Sequence, residues 1–130
     1  NDEMAFGVMQ AAQELGKQPG KDIYLSALNN SDEVLQARID GKLCVLVGGH
    51  FTLGGWAMVM LHDYHAGVDF AARGGKDRVD QLFSLLDAKQ AAHLKQRLKV
   101  PGYGLDFRQF SAVYQPQIKD YGFSIKPLLQ

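Results

Sequence analysis

Two groups of short polar side chains are of types that could bind a polar ligand through hydrogen bonds. Asn1 and Asp2 precede a helical pattern, and Asn29 and Asn30 follow a short apolar run. An amide offers a hydrogen-bond donor and an acceptor, and a carboxylate offers acceptors, so such groups match the vicinal hydroxyls of a sugar. The same residue types also cap helices and form turns for local reasons, and the residues alone favour that local role.

A second candidate is the pair His62 and His65. The i, i+3 spacing on a helix would place both imidazoles on one face, where they could hold a metal ion. No third ligand follows at a recognisable spacing, so we interpret the pair as a polar helix end and expect no metal site. The sequence also lacks the nucleophile elbow, the phosphate loop and the dinucleotide fingerprint, and we therefore expect neither an enzyme nor a cofactor.

The elements that must position these side chains alternate between helix and strand. Apolar residues recur at helical spacing over 4–15, and the apolar run 22–28 predicts a buried strand. A short helix capped by Ser31 and a second strand over 43–47 follow. This alternation is typical of a parallel sheet with covered faces, in which ligands bind at the carboxyl ends of the strands. Both polar groups fall at that edge.

The rest of the chain has less regular patterns. We predict a helix over 53–65 and a short extended stretch over 68–71. The charged segment 76–99 carries apolar residues mostly at helical spacing, with a break at 85–87. One more helix is expected over 106–114, followed by an extended tail that packs its aromatic side chains on another part of the molecule.

Composition excludes several classes of partner. The chain has 130 residues, 46% hydrophobic and 22% charged, which is typical of one globular domain. Fourteen basic residues balance fourteen acidic ones, so the chain lacks the positive excess that attracts nucleic acid or anionic lipid. Its apolar stretches are shorter than the ~20 residues of a membrane-spanning helix. Cys44, the single cysteine, lies in an apolar run and is expected to be a buried thiol.

Two motifs carry a family resemblance. The sequence N-D-E-M-A at residues 1–5 and the sequence I-D-G-K-L at residues 39–43 resemble, in order and distance, the second half of type I periplasmic binding proteins of the ribose-binding group. The match covers residues 1–50 well and residues 51–70 loosely. The resemblance implies a two-lobed protein of greater length, whose lobes close on a small ligand by hinge bending.

The resemblance implies a place for this chain in such a protein. It would be the C-terminal part, an α/β structure with a parallel sheet flanked by helices and with a helical and extended C-terminal extension. Residues 1–48 would end the second lobe, and residues 49–75 would hold a hinge crossing and the closing helix of the first lobe. Residues 76–130 would form the C-terminal extension.

The resemblance also implies the ligand contacts. In the family the Asn of the N-D-x-M-A motif binds a ligand hydroxyl, which corresponds to Asn1, and Asp2 beside it either contacts ligand or caps the helix. The second contact is usually an Asp after the next strand, where this chain has Asn29. The third is usually polar and ends the hinge strand, where this chain has Gly48-Gly49-His50. The expected ligand-binding residues are Asn1, Asp2, Asn29 and His50, and the two departures argue against an ordinary hexose or pentose.

The function implied is capture of a sugar or similar small polar ligand for an ABC-type importer in the periplasm. The membrane partner would be the permease of that importer. One alternative is a periplasmic sensor that presents its bound state to a membrane signalling protein, and a second is the effector domain of a sugar-responsive transcription repressor. Residues 1–5 show no signal peptide. Taken alone, the chain is expected to self-associate, because half a sheet exposes strand edges and apolar helix faces.

Overall fold

Helices and strands alternate through the first half of the chain, as the sequence pattern predicts. The computed structural model describes residues 1–74 and 77–130. Its α-helices and strands, in chain order, are α1 (Asp2–Glu14), β1 (Ser26–Leu28), α2 (Asp32–Ile39), β2 (Val45–Gly48), α3 (Leu53–His65), β3 (Ser84–Leu85) and α4 (Ala88–Arg97). No helix in the described ranges is long and apolar enough to cross a membrane. The boundary expected between residues 75 and 76 lies outside the described residues.

The three strands form one mixed sheet in the order β1-β2-β3. β1 and β2 are parallel, with Leu28 beside Val47, and α2 makes the crossover between them. β3 is antiparallel to β2, with Ser84 beside Gly48. The predicted α/β class is therefore confirmed. The sheet includes a strand from the C-terminal half of the chain that the helical pattern of residues 76–99 concealed.

Both early strands are shorter than the sequence predicts. Residues 18–23 close a local turn, in which the amide of Asp22 donates to the carbonyl of Gln18 at 2.8 Å and the amide of Gly20 donates to the carbonyl of Ile23 at 2.8 Å. Because of this turn, the first residues of the run 22–28 do not join the sheet, and β1 begins at Ser26. Cys44 lies in a bend before β2 and is exposed, so the expectation of a buried thiol is wrong.

The largest hydrophobic cluster, here called the sheet cluster, lies between the sheet and helices α1, α2 and α4. Its fully buried members include Val34, Leu35, Leu43, Leu46 and Leu94. Burial of such side chains contributes roughly 1.5–3 kcal/mol each. Ile125 and Leu128, close to the end of the chain, also belong to the sheet cluster. The C-terminal segment therefore returns to the core that the first 48 residues build.

A second hydrophobic cluster, here called the aromatic cluster, surrounds α3. Trp56 stacks on Phe123 with ring centroids 5.0 Å apart and planes inclined by 9°, and Phe107 and Phe110 meet the Trp56 ring edge-on. Tyr121 completes the stack against Phe123 at 5.0 Å. The tail therefore packs its aromatic side chains on α3, as the sequence predicts.

Three sequence predictions outside the core are wrong. Residues 68–71 are not extended, because the Asp69 side chain accepts the Ala71 amide and folds a 3-10 turn over Phe70–Ala72. Residues 77–83 are not helical, and helix begins only at Ala88, where Asp87 and Gln90 form a capping box after the predicted break. The helix expected over 106–114 is a single 3-10 turn, Phe107–Phe110.

Candidate functional site

The carboxyl ends of β1 and β2 bring most of the expected ligand-binding residues together. Asn29 follows β1, His50 follows β2, and α1 begins close to the end of β1. The Asn29 amide nitrogen donates to the Asp2 carboxylate at 2.9 Å, which joins two polar groups that are far apart in sequence. The backbone amide of Asn29 donates to the Val47 carbonyl at 3.1 Å and so extends the hydrogen bonding between β1 and β2. We call the group Asn1, Asp2, Asn29, Asn30 and His50 the polar edge.

Asn1 is the exposed member of the polar edge. Its side-chain oxygen accepts the amide of Met4 at 3.0 Å and so caps α1. The cap fixes the orientation of the Asn1 side chain and uses its oxygen. The two N–H groups of the side-chain amide take no part in the cap. Asn1 can therefore cap α1 with its oxygen and still offer its N–H groups as donors.

Asp2 is the most deeply buried member, with 5% of its surface exposed. The hydrogen bond from Asn29 lowers the pKa of the Asp2 carboxyl, and this effect outweighs the opposing influence of burial. The other carboxylate oxygen of Asp2 accepts a hydrogen bond from the backbone amide of Glu3 at 3.2 Å. Asp2 is therefore an ionised carboxylate that holds the amide of Asn29 in one orientation.

Asn30 ties the two strand ends together. Its backbone amide donates to the Asn29 side chain at 2.8 Å, and its own side-chain oxygen accepts the amide of Gly49 at 2.9 Å. A side chain at Gly48 would overlap the amide of Asn30, and a side chain at Gly49, whose φ is +119°, would overlap the carbonyl of Leu82. These close approaches require glycine at both positions, where the resemblance leads us to expect a polar side chain.

His50 lies beside β3 and contacts an aromatic residue that the sequence analysis missed. Its ring stacks on Phe83 with centroids 5.5 Å apart and planes inclined by 30°. One buried ring nitrogen of His50 and the buried amide nitrogen of Asn30 have no hydrogen-bond partner within residues 1–74 and 77–130. Helical spacing was misleading for Phe83, and only the antiparallel pairing of β3 places it next to His50.

A second polar centre, also missed from the sequence, lies under α3. Asp63 is fully buried and accepts hydrogen bonds from the hydroxyl of Ser111, the amide of Ala112 at 2.6 Å and the hydroxyl of Tyr121 at 2.8 Å. Burial raises the pKa of the Asp63 carboxyl, but these donors outweigh burial and lower it overall. Burial and the bond to Asp63 raise the pKa of Tyr121 to about 12. Asp63 therefore fastens the C-terminal segment to α3.

The two histidines of α3 lie in its last turn, and both are exposed. His62 stacks on Tyr114 with centroids 5.6 Å apart, and its Nδ1 lies 3.3 Å from a carboxylate oxygen of Asp63. In the described part of the chain, no three His, Cys, Asp or Glu side chains are grouped so that they could hold a metal ion. The interpretation of His62 and His65 as a polar helix end accords with their exposure.

The known proteins that are similar to this chain are described as sugar-binding proteins or were solved with a sugar. A periplasmic sugar-binding protein from Pseudomonas fluorescens matches the whole of this chain with 50% identity and a TM-score of 0.92. A Mycobacterium smegmatis protein solved with β-D-fucofuranose matches 79% of the chain with 30% identity and a TM-score of 0.58. The galactofuranose-binding protein YtfQ of Escherichia coli (strain K12) is 38% identical over 42 residues, 32% of the chain. No family model matches.

The matches also show how much of each relative this chain represents. It spans 40% of the Pseudomonas fluorescens protein and 33% of the Mycobacterium smegmatis protein, and the aligned segment is 13% of YtfQ. The expected resemblance to type I periplasmic binding proteins is confirmed on this basis.

Proposed function

Because this chain has the sequence and fold of part of a type I periplasmic binding protein of the sugar-binding group, we propose that it helps to capture a sugar in the periplasm and catalyses no reaction. The observation that carries the proposal is the polar edge, which lies at the carboxyl ends of two parallel strands, where open α/β sheets bind ligands. The ligands named for two relatives, galactofuranose and β-D-fucofuranose, favour a sugar of that kind.

The chemistry of the polar edge suits vicinal hydroxyls, each of which both donates and accepts a hydrogen bond. The exposed amide of Asn1 donates to a ligand oxygen while its own oxygen caps α1. Asn29 gives one N–H to Asp2 and has a second to offer. Asp2 retains acceptor capacity and orients Asn29, and His50 adds a ring nitrogen on the other side of β2. We therefore retain all four residues as ligand-binding.

The two hydrophobic clusters support a division between two lobes. We propose that the sheet cluster lies in the second lobe and the aromatic cluster in the first, with a hinge crossing between β2 and α3. Residues 84–98 and 125–129 contact the sheet cluster, whereas residues 105–123 contribute most of the tail's contacts to the aromatic cluster. The segment 76–130 would then cross between the lobes as well, so closure would bend the chain at several places.

We test sugar capture with the full-length protein, titrated by calorimetry with four sugars. These are the methyl furanosides of D-galactose and D-fucose, which correspond to the ligands named for two relatives, and D-galactose and D-fucose themselves. The informative variant is Asn1→Ser, because a serine hydroxyl still caps α1 but has no amide N–H groups. We expect at least one sugar to bind, and the variant to bind it about tenfold more weakly at an unchanged melting temperature. The matched control is Asp87→Ser, which exchanges the capping residue of α4 for serine at an exposed position.

Two results would contradict the proposal. The first is a wild-type protein that binds none of the four sugars, and the second is an Asn1→Ser variant that binds as tightly as the wild type. Asn1→Ala serves as a reference, since it removes cap and donor together and should also lose about 1 kcal/mol of folding stability.

We propose further that the liganded protein delivers its sugar to an ABC-type importer, with the permease as its membrane partner. Deletion of the gene should abolish uptake of the radiolabelled sugar identified by calorimetry, and the wild-type gene should restore it. Uptake that persists at the wild-type rate after deletion would exclude this role.

A further inference from the structure

The C-terminal tail leaves the sheet cluster at one place and returns to it at another. Leu105 packs against both hydrophobic clusters, and Phe107, which follows it, packs against the aromatic cluster. At the other end, Phe123 is buried in the aromatic cluster, whereas Ile125 is buried in the sheet cluster. We call the tail between these two points, residues 105–124, the strap.

Arg97, at the end of α4, holds both ends of the strap. Its guanidinium donates to the carbonyl of Gly104, where the strap begins, at 3.4 Å. It also donates to the carbonyl of Pro127, just after the strap ends, at 3.3 Å. Leu94 in α4 and Leu128 after the strap are both fully buried in the sheet cluster. The two ends of the strap are therefore fastened close together, on the helix that packs against the sheet.

The middle of the strap is fastened to α3. The buried carboxylate of Asp63 accepts hydrogen bonds from the hydroxyl of Ser111, the amide of Ala112 and the hydroxyl of Tyr121. These donors lie in two separate parts of the strap, so one side chain holds its outgoing and its returning half. The strap is thus anchored to both clusters by hydrogen bonds as well as by apolar contacts.

Two further passages of the chain between the clusters lie beside the strap. Gly49 follows β2, and a methyl group added there would lie 3.2 Å from Ile125 and would overlap the carbonyl of Leu82. Leu82 packs against the aromatic cluster and shortly precedes β3 of the sheet. Phe51 meets the ring of Tyr103, just before the strap, edge-on with centroids 5.4 Å apart. The passages therefore run side by side at one place in the molecule.

From these contacts we propose that the strap restricts the movement of the two lobes relative to each other, so that the ligand-free protein adopts a narrow range of orientations. The inference rests on the proposed division into lobes, with the sheet cluster in the second and the aromatic cluster in the first. A residue spans at most ~3.6 Å, and only Ser124 separates Phe123 from Ile125, so the lobes cannot part there without breaking an anchor. Links that run side by side permit bending about one line but resist twisting and separation. A narrow range also favours binding, because a site held near its bound geometry loses less freedom when a ligand binds.

The test lengthens the strap without removing its anchors. In the full-length protein, insertion of Gly-Ser-Gly after Ser124 slackens the link between the two clusters. The matched control inserts the same three residues after the exposed Pro116. That position lies between Ser111 and Tyr121, which Asp63 holds to the same lobe, so the control lengthens the strap but not its link to the other lobe.

The readout is the distance between two spin labels. One is attached to Cys44, which is exposed just before β2, and the other to His65→Cys, at the exposed end of α3, with any other cysteine replaced by serine. We expect the insertion after Ser124 to widen the distance distribution of the ligand-free protein about twofold, and the control insertion to leave it unchanged. The insertion after Ser124 should also weaken binding of the recognised sugar about threefold.

Arg97→Gln tests the same inference without lengthening the chain. It removes the guanidinium that joins the two ends of the strap, and we expect it to widen the distribution to a smaller extent. Its matched control is Arg108→Gln, because Arg108 pairs with Asp106 within the strap at an exposed position. If the insertion after Ser124 unfolds the protein, Arg97→Gln decides alone, and a width equal to that of the wild type overturns the inference.

The outcomes separate the strap from sugar capture, because the distances are measured without ligand. A distribution as narrow after the insertion at Ser124 as in the wild type would show that the strap restricts nothing. Equal widening by both insertions would also overturn the inference, since the effect would then be a general loosening. If the insertion at Ser124 alone widens the distribution and no sugar binds the wild type, the strap stands and sugar capture fails.

Discussion

At the scale of single residues, Asp63 is the side chain whose loss should cost most. It is a buried carboxylate with three donors directed at it. Asp63→Asn puts an NH2 group against at least one of those donors and removes the charge, so we expect the free energy of unfolding to fall by about 3 kcal/mol. Urea denaturation of the full-length protein measures the change. Asp69→Asn, at an exposed capping position, should change stability by less than about 0.5 kcal/mol.

The same carboxylate predicts a pH dependence. The pKa of Asp63 in the folded protein lies below its ordinary value of 3.8, so the unfolded chain takes up a proton first as the pH falls. Its contribution to stability is complete above about pH 5 and is lost as the pH falls through the lowered pKa. We expect the stability of Asp63→Asn to decline less steeply than that of the wild type between about pH 5 and pH 2. Parallel curves would contradict the prediction.

At the scale of elements, the contact between the end of β2 and the start of β3 holds β3 in the sheet. Gly49 has a φ of +119° and meets the carbonyl of Leu82, so Gly49→Ala introduces both backbone strain and an overlap. We expect it to displace β3 from β2 and to destabilise the protein by about 2 kcal/mol. Hydrogen exchange should show reduced protection at Leu86, whose amide donates to the Leu46 carbonyl.

Gly7→Ala is the matched control at this scale. Gly7 lies within α1 with no neighbouring atom close to the position of an added methyl group. Alanine should stabilise the helix by roughly 0.5–1 kcal/mol. If both substitutions shift stability in the same direction, the close approach at Gly49 is not what holds β3.

At the scale of the whole molecule, α3 buries one side in the aromatic cluster and exposes the other. Met58 and Leu61 lie on the exposed side and are 65% and 58% exposed. Apolar faces of this kind usually meet another protein surface. We expect the 130-residue chain alone to sediment as a dimer or larger species, and Met58→Lys combined with Leu61→Lys to return it to a monomer.

Val79→Lys is the control for self-association. Val79 is 98% exposed and lies outside α3, so its replacement should leave the sedimentation unchanged. A wild-type chain that sediments as a sharp monomer would contradict the expectation, because the exposed face of α3 would then be tolerated in water.

The sequence determined the elements whose signals are local. The caps at Asn1 and Ser31 and the apolar periodicity of α1 and α3 depend on neighbouring residues, and they predicted those helices correctly. The motifs at 1–5 and 39–43 likewise identified the kind of protein from short stretches of chain. Only the tertiary structure decided the contacts between distant residues, because no local pattern records them.

Those distant contacts define most of the site. The Asp2–Asn29 bond, the Asn30 bridge to Gly49 and the His50–Phe83 stack each join segments that the sequence separates. Helical spacing misassigned this segment because Ser84 and Leu85 pair with β2 and Leu86 is buried, and these contacts outweigh local propensity. Asp63 was missed because an isolated acidic residue in a helix looks solvated until the tail brings Ser111, Ala112 and Tyr121 to it. The sequence thus specified the helices and strands with strong local signals, and packing decided where β3 forms and which side chains meet.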